Sequence, residues 1–213
     1  MANVLILGGH GKVALQAAPL LVQAGHEVTS AVRNPDHRTD VEATGASVAL
    51  VDLQKQSTED FEKLFEGFDV IVWSAGVGGG DPERTFAVDR DAAIRTMDAA
   101  GDKRYIMVSY FGAGQEHGVP EDHDFFSYAQ SKADADDHLK RSAARWTILG
   151  PSRLTSDDAH GGIDVNPAEG DSVARADVAR VVAAVVDADN TIGKTIEFNT
   201  GEIPIEEAIA AVV

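Results

Sequence analysis

A chain of 213 residues, 44% hydrophobic and 25% charged, can bury one full core and is expected to form a single domain. Eighteen basic against 35 acidic residues give a net charge of -17, which repels nucleic-acid phosphates and anionic lipid surfaces and so excludes both as expected partners. With no cysteine, disulfides, thiolate nucleophiles and thiolate metal sites are excluded as well.

Residues 3 to 14 read NVLILGGHGKVA, an apolar run, then glycines at 8, 9 and 11, then the opening of a helix. Val4 to Leu7 have the makeup of a buried strand, and Gly8, Gly9, His10, Gly11, Lys12 and Val13 form the turn that leaves it. A backbone free of obstructing Cβ atoms can approach a pyrophosphate, whose charge is met by amide N–H groups at a helix N-terminus. These six residues are therefore expected to bind a dinucleotide, although a tight turn with no ligand would also need Gly8 and Gly11. Val13, Ala14, Ala17, Leu20, Leu21 and Ala24 recur at helical spacing and predict a helix over 12–24, kinked at Pro19. The start, MANVLIL, has no basic leader, and no apolar stretch reaches the roughly 18–20 residues of a membrane span, so a cytoplasmic location is expected.

Further strands are predicted near 27–32, 47–51, 69–75, 104–109, 145–149 and 195–199. Helical patterns lie between them at 36–44, 58–66, 83–100, 124–142 and 176–188. Such alternation predicts an α/β fold: a doubly wound parallel sheet, that is, one Rossmann domain, in which ligands sit beyond the carboxyl ends of the strands. After the second strand comes Arg33, where an NAD site would place Asp or Glu; an arginine suits a 2′-phosphate, so NADP is expected over NAD. Lys12 and Arg38 could add positive charge there or be ordinary surface residues. Asp52 and Leu53 follow the third strand and are candidates to receive the adenine, with a cap or turn as the competing role for Asp52. The fourth strand ends in Ser74, Ala75 and Gly76, small enough for ribose and phosphates to lie against them, and runs into Gly78-Gly79-Gly80, equally readable as a flexible loop.

The fifth strand delivers Ser109, and Tyr128 and Lys132 stand four apart on a predicted helix and so share a face. A nearby ammonium and a positively charged nicotinamide would favour the phenolate of Tyr128, and Ser109 would hold the substrate oxygen. The bland alternative packs Tyr128 as an amphipathic side chain with Lys132 solvated. Histidines and carboxylates at 116–117, 123–124 and 157–160 sit in irregular acidic stretches without ligand spacing, so no metal is expected.

GGHGKVA at the start, Arg33, VDL at 51–53, VDRDAAI at 88–94, VSYFGAG at 108–114, YAQSK at 128–132 and RADVARVV at 175–182 together resemble the atypical short-chain dehydrogenase/reductases, more narrowly the NmrA-like or epimerase-like NAD(P)-binding group. The resemblance runs through almost the whole chain. It implies Tyr128 as proton donor, Lys132 as its electrostatic helper and Ser109 as the matching serine. One departure is Gly150, where similar proteins often carry arginine; Arg153 follows three residues later. Residues 110–126 and 152–172 are the expected walls and lid of the substrate site, and their shortness favours a small substrate. The leading expectation is an NADP(H)-dependent oxidoreductase acting on a small carbonyl, quinone or flavin-like compound. A non-catalytic NADP(H) sensor and a nucleotide-sugar epimerase or dehydratase are the alternatives.

Overall fold

The computed structural model describes residues 1–77 and 80–213; Gly78 and Gly79 of the triple glycine lie outside the described residues. Seven parallel strands form the body of the sheet. They are β1 (Asn3–Leu7), β2 (Glu27–Val32), β3 (Ser47–Leu50), β4 (Val70–Trp73), β5 (Arg104–Val108), β6 (Arg145–Pro151) and, late in the chain, Lys194–Thr200. Between the last two come β7 (Arg153–Thr155), β8 (Gly162–Val165) and β9 (Ser172–Ala174), so Lys194–Thr200 is β10, and Ile203–Pro204 is β11. The large sheet runs β11-β8-β10-β6-β5-β4-β1-β2-β3, with β8 antiparallel to both β10 and β11, while β7 and β9 pair with each other. The order reverses at β1, whose Leu7 pairs with Ala31 on one side and Trp73 on the other, and this crossover opens the crevice in which such folds bind ligands.

Strand alternation divides the core. Val4 and Ile6 of β1 face one layer, completed by α1 (Ala14–Gln23) and α7 (Arg175–Val186), whereas Leu5 and Leu7 face the other with Phe61, Phe65, Trp73 and Met97. That second layer holds α3 (Thr58–Phe65), α5 (Ala93–Ala100) and α6 (Phe126–Arg141), α2 (Arg38–Glu42) having preceded them in the chain. α1 passes through Pro19 as one helix; Ala17, Ala18 and Leu21 bury its inner face, and that packing outweighs the hydrogen bond Pro19 cannot make.

All seven strands predicted from the sequence are present. The predicted helix over 83–100 is present but changes pitch: α4 (Pro82–Thr85) runs into a π-helical stretch, Phe86–Ala92, before α5. The stretch 152–172, expected as loop, contains β7 and β8 and leads into β9. Their pairing partners lie in other parts of the chain, and segments of three or four residues carry no readable period. Asp177 in the first turn of α7 fixes their path by accepting the backbone N–H groups of His160 and Gly161 at 2.7 and 2.9 Å. The terminal helix α8 (Ile205–Ala210) was not anticipated either; it buries Ile205, Ala208 and Ile209.

Candidate active site

At the crossover, β1 ends in a turn set by steric necessity. Gly8 has φ +85°, a region costly for L-residues, and a Cβ there would stand 2.5 Å from the Ala75 backbone. A Cβ on Gly9 would collide with Ser30. These two glycines are thus required by the packing of the turn against β2 and β4, ligand or none. Gly11 donates its N–H to the Gly8 carbonyl at 2.8 Å, and a Cβ on it would crowd the Gly8 and Ser74 carbonyls at 3.1 and 3.3 Å. α1 starts directly after this turn; Leu15 donates its N–H to the Gly11 carbonyl at 2.9 Å and Gln16 and Ala17 donate to the Val13 carbonyl at 3.1 and 2.8 Å, so within the first helical turn it is the Ala14 amide that keeps the capacity to meet an anion.

A cleft of about 290 Å³ opens beside the turn. It collects Gly8, His10, Gly11, Arg33, Asp52, Leu53, Ser74, Ala75 and Gly76 of the sequence candidates. Arg33 lies exposed at its wall with Asn34 and His37. The His10 and His37 rings stack at 3.6 Å, and His10 Nε2 lies 2.8 Å from Asp40 Oδ2. Asp52 also serves its own turn, accepting the Gln54 N–H at 3.3 Å and facing Lys55 at 3.3 Å. Lys12, Val13 and Arg38 are placed elsewhere. Lys12 borders a separate recess with Asp157, Asp158 and Arg175, Val13 is buried in the core, and Arg38 pairs with Glu42 on the exposed face of α2. His37 and Arg84 also line the cleft; neither belongs to a pattern that would have marked it in the sequence. A dinucleotide fits these residues: a glycine turn no Cβ could enter, leading into the N-terminus of α1, and a cleft at the crossover.

The neighbouring strand ends carry a different kind of site. α6 brings Tyr128 and Lys132 onto the end of β5, one turn apart as their spacing demands, with Lys132 fully buried rather than solvated. Its Nζ donates to the Val108 carbonyl at 2.9 Å and sits 6.0 Å from the centroid of the Tyr128 ring. Asp136, one further turn along the same face, accepts the Ser109 hydroxyl at 2.6 Å. Asp89 enters from the π-helical stretch, fully buried, and accepts the Val77 N–H at 2.9 Å; a Cβ on Gly76 would touch its carboxylate. The wider turn at Phe86–Ala92 belongs to the helix segment that brings this carboxylate inward, and such interruptions concentrate at functional sites.

Burial dominates the electrostatics here. The Tyr128 hydroxyl is held well above the usual phenol range by the protein alone, by burial first and then by Asp89 and Asp136, which favours the neutral phenol. Burial likewise pushes Lys132 down, against the pull of the two carboxylates, and pushes Asp89 up. Asp136 is raised to about 6, chiefly by burial, with the Ser109 hydrogen bond opposing. The Ser109 hydroxyl hydrogen is engaged by Asp136. Asp136 was legible in principle, since 128, 132 and 136 form one stripe of a helix; the inward turn of Asp89 was not.

Ser109 and Tyr128 line a second cavity of about 440 Å³ together with Tyr110, Phe111, Phe125 and Arg153. The rings of Tyr110, Phe125 and Tyr128 form a cluster with centroids 5.3–5.6 Å apart. At Gly150, a Cβ would press on Glu197 Cγ at 3.0 Å, and Glu197 accepts the Gly112 N–H at 2.7 Å. The nearest arginine in sequence, Arg153, reaches the cavity from β7.

The NAD(P)H-binding family matches residues 8–189 of the chain. The uncharacterized sugar epimerase YhfK of Bacillus subtilis is 30% identical, over 97% of this chain and 98% of its own length. A solved structure from Bacillus halodurans, provisionally assigned as an NAD-dependent epimerase/dehydratase, is 34% identical with a TM-score of 0.89, covering 98% of this chain and 99% of that one. The oxidoreductase ylbE from Lactococcus lactis is 25% identical with a TM-score of 0.87, covering 99% and 96%.

Proposed function

Because this chain belongs to the NAD(P)H-binding family, among the atypical short-chain dehydrogenase/reductases, we propose that it is an NADP(H)-dependent oxidoreductase that reduces a small unsaturated acceptor. The observation that carries this reading is the cavity lined by Ser109 and Tyr128 at strand ends next to the cofactor cleft. Arg33, with the His10–His37 pair beside it, supports NADP over NAD, since a guanidinium matches a phosphate in charge and geometry. The bound nicotinamide would supply the hydride.

The residues supply the remainder. Tyr128, held neutral, gives its hydroxyl proton to the oxygen of the acceptor as the hydride reaches the acceptor carbon, and Lys132 beneath the ring offsets the charge left on the phenolate until solvent restores the proton. Ser109 orients that oxygen. Tyr110, Phe111 and Phe125 favour a flat, conjugated carbonyl acceptor such as a quinone over an aliphatic one, because ring faces stack; a flavin-like ring, which takes hydride at a ring nitrogen, would need no proton from Tyr128. The names of the relatives favour a second reading, epimerase or dehydratase chemistry on a transiently oxidised sugar. The short segment 152–172, folded back as β7 to β9, argues against it, as it leaves little protein to grip a sugar nucleotide.

Titrating the purified protein with NADPH and NADH by nicotinamide fluorescence, then following absorbance with quinone, flavin, aldehyde and sugar-nucleotide panels, tests the reading. Tighter NADPH binding and its oxidation by flat acceptors is the expected outcome. Binding without oxidation supports a cofactor sensor, tightly retained cofactor with sugar-nucleotide turnover supports the epimerase, and no binding to either nucleotide overturns all three.

A further inference from the structure

We propose that Asp136 is a positioning residue that sets the direction of the single Ser109 hydroxyl hydrogen and thereby decides whether Ser109 can donate to the oxygen of an acceptor bound beside Tyr128. The proposal rests on the reductase reading above. A serine hydroxyl has one hydrogen and two lone pairs, and an ionised carboxylate only accepts. With Ser109 Oγ 2.6 Å from Asp136 Oδ2, an ionised Asp136 holds that hydrogen, and Ser109 turns only lone pairs toward the cavity it lines. Lone pairs repel a carbonyl oxygen that is gaining negative charge. When Asp136 is protonated the pair reverses: the carboxyl donates to Oγ, and the Ser109 hydrogen is free to turn to the acceptor. No proton leaves the Asp136–Ser109 pair; the hydride and the Tyr128 proton complete the reduction.

The surroundings are arranged for both states. Asp136 is 2% exposed, and among the described residues its Oδ1 has no hydrogen-bond partner that would lock it as an anion. Lys132 and Lys140 on its own helix favour the anion, as does Ser109 on the end of β5, while Asp137 and, above all, burial oppose it. Asp89, from the π-helical stretch, shares the influence of Lys132. Tyr105, Tyr110 and Tyr128 also face Asp136, and each is pushed further from ionisation by it. The balance leaves the carboxyl titrating at about 6, so both protonation states are accessible near neutral pH. Tyr128 stays neutral throughout that range, and the lining of the cavity has no histidine among its described residues, which leaves Asp136 as the group whose titration reaches Ser109.

The test is the pH profile of kcat for NADPH oxidation by a flat quinone acceptor, from initial rates between pH 5 and 8, in the wild type, Asp136→Asn and Ser109→Ala. Loss of one donor to a developing oxyanion costs about 10²–10³ in rate in well-studied sites, and a partial loss of about 10- to 100-fold is expected for the wild type as pH rises through 6. Asp136→Asn, whose amide can donate to Ser109 Oγ at every pH, should flatten that fall near the low-pH rate. Ser109→Ala should be flat near the high-pH rate, and KM for NADPH should stay unmoved in both. Retention of the wild-type fall in either variant overturns the inference while leaving the reductase reading intact. Should Asp136→Asn fail to fold, as circular dichroism would show, Ser109→Ala decides by itself. A wild type that oxidises NADPH with no acceptor at any pH overturns the reading and the inference together.

Discussion

The two halves of the site are built on opposite principles. Around β1, β2 and β4 the site consists largely of backbone and small residues: Gly8, Gly9 and Gly11 are fixed by what would collide with a Cβ, and Arg33 and Arg84 are the cationic side chains of the cleft lining. Around β5 and α6 the site consists of side chains at their most costly, with Lys132 fully buried between Asp89 and Asp136 and a phenol held neutral beside them. A surface that only binds can be made from shape and amide dipoles, at the cost of glycine conformational entropy but without burying a full charge. A surface that moves protons needs ionisable groups out of water, and each must be held there against its desolvation. Binding and chemistry should therefore separate cleanly under mutation.

Gly8→Ala is expected to have the largest effect. A left-handed alanine pressed on the Ala75 backbone should cost about 2–5 kcal/mol and abolish detectable NADPH binding, as a urea melt and a fluorescence titration would show. Normal binding by this variant would mean the turn is far more plastic than its contacts imply. Tyr128→Phe should lower acceptor reduction about 100-fold or more while the Kd for NADPH shifts less than about twofold, placing the damage wholly in the chemical half. A parallel loss of affinity would erase the division. Arg33→Ala should do the reverse, weakening NADPH about 10- to 100-fold, sparing NADH and leaving kcat at saturation unchanged. Equal losses for both nucleotides would show that Arg33 does not read a 2′-phosphate.

The smallest expected effect sharpens the cost of buried charge. Asp136 has its folded pKa raised to about 6 from 3.8, so the folded state holds the proton more tightly than the unfolded chain does. Its stabilising contribution is complete below pH 3.8 and is lost as pH rises through about 6. The shift corresponds to at most about 3 kcal/mol, and Asn gives back part of this because it exchanges a charge-assisted hydrogen bond with Ser109 for a neutral one, so Asp136→Asn should be about 1–2 kcal/mol more stable than the wild type at pH 8 and no more stable at pH 4. Chemical denaturation at the two pH values measures this, and an equal gain at both would assign the effect to packing instead of charge.

The local structure of the glycine-turn half was largely readable from the sequence. A glycine turn after a buried run, an arginine after the second strand and small residues after the fourth are local features, and their meaning depends on chain order, which periodicity supplies. Tyr128 and Lys132 were readable as a helical pair for the same reason. The upward push on the Tyr128 hydroxyl was not, because it depends first on how deeply α6 is buried and then on Asp89, 39 positions away in sequence on the π-helical stretch. The hidden hydrogen of Ser109 was equally out of reach, since its partner stands 27 residues on. In this protein the sequence by itself determined the strand and helix order, the crossover and the cofactor turn, all consequences of period and steric size. Only the tertiary structure decided the electrostatic surroundings of Tyr128 and Asp136, the packing of Glu197 beside Gly150 and the folding of the stretch after β6 into β7 to β9. Each of these depends on which distant groups share a space that water has left.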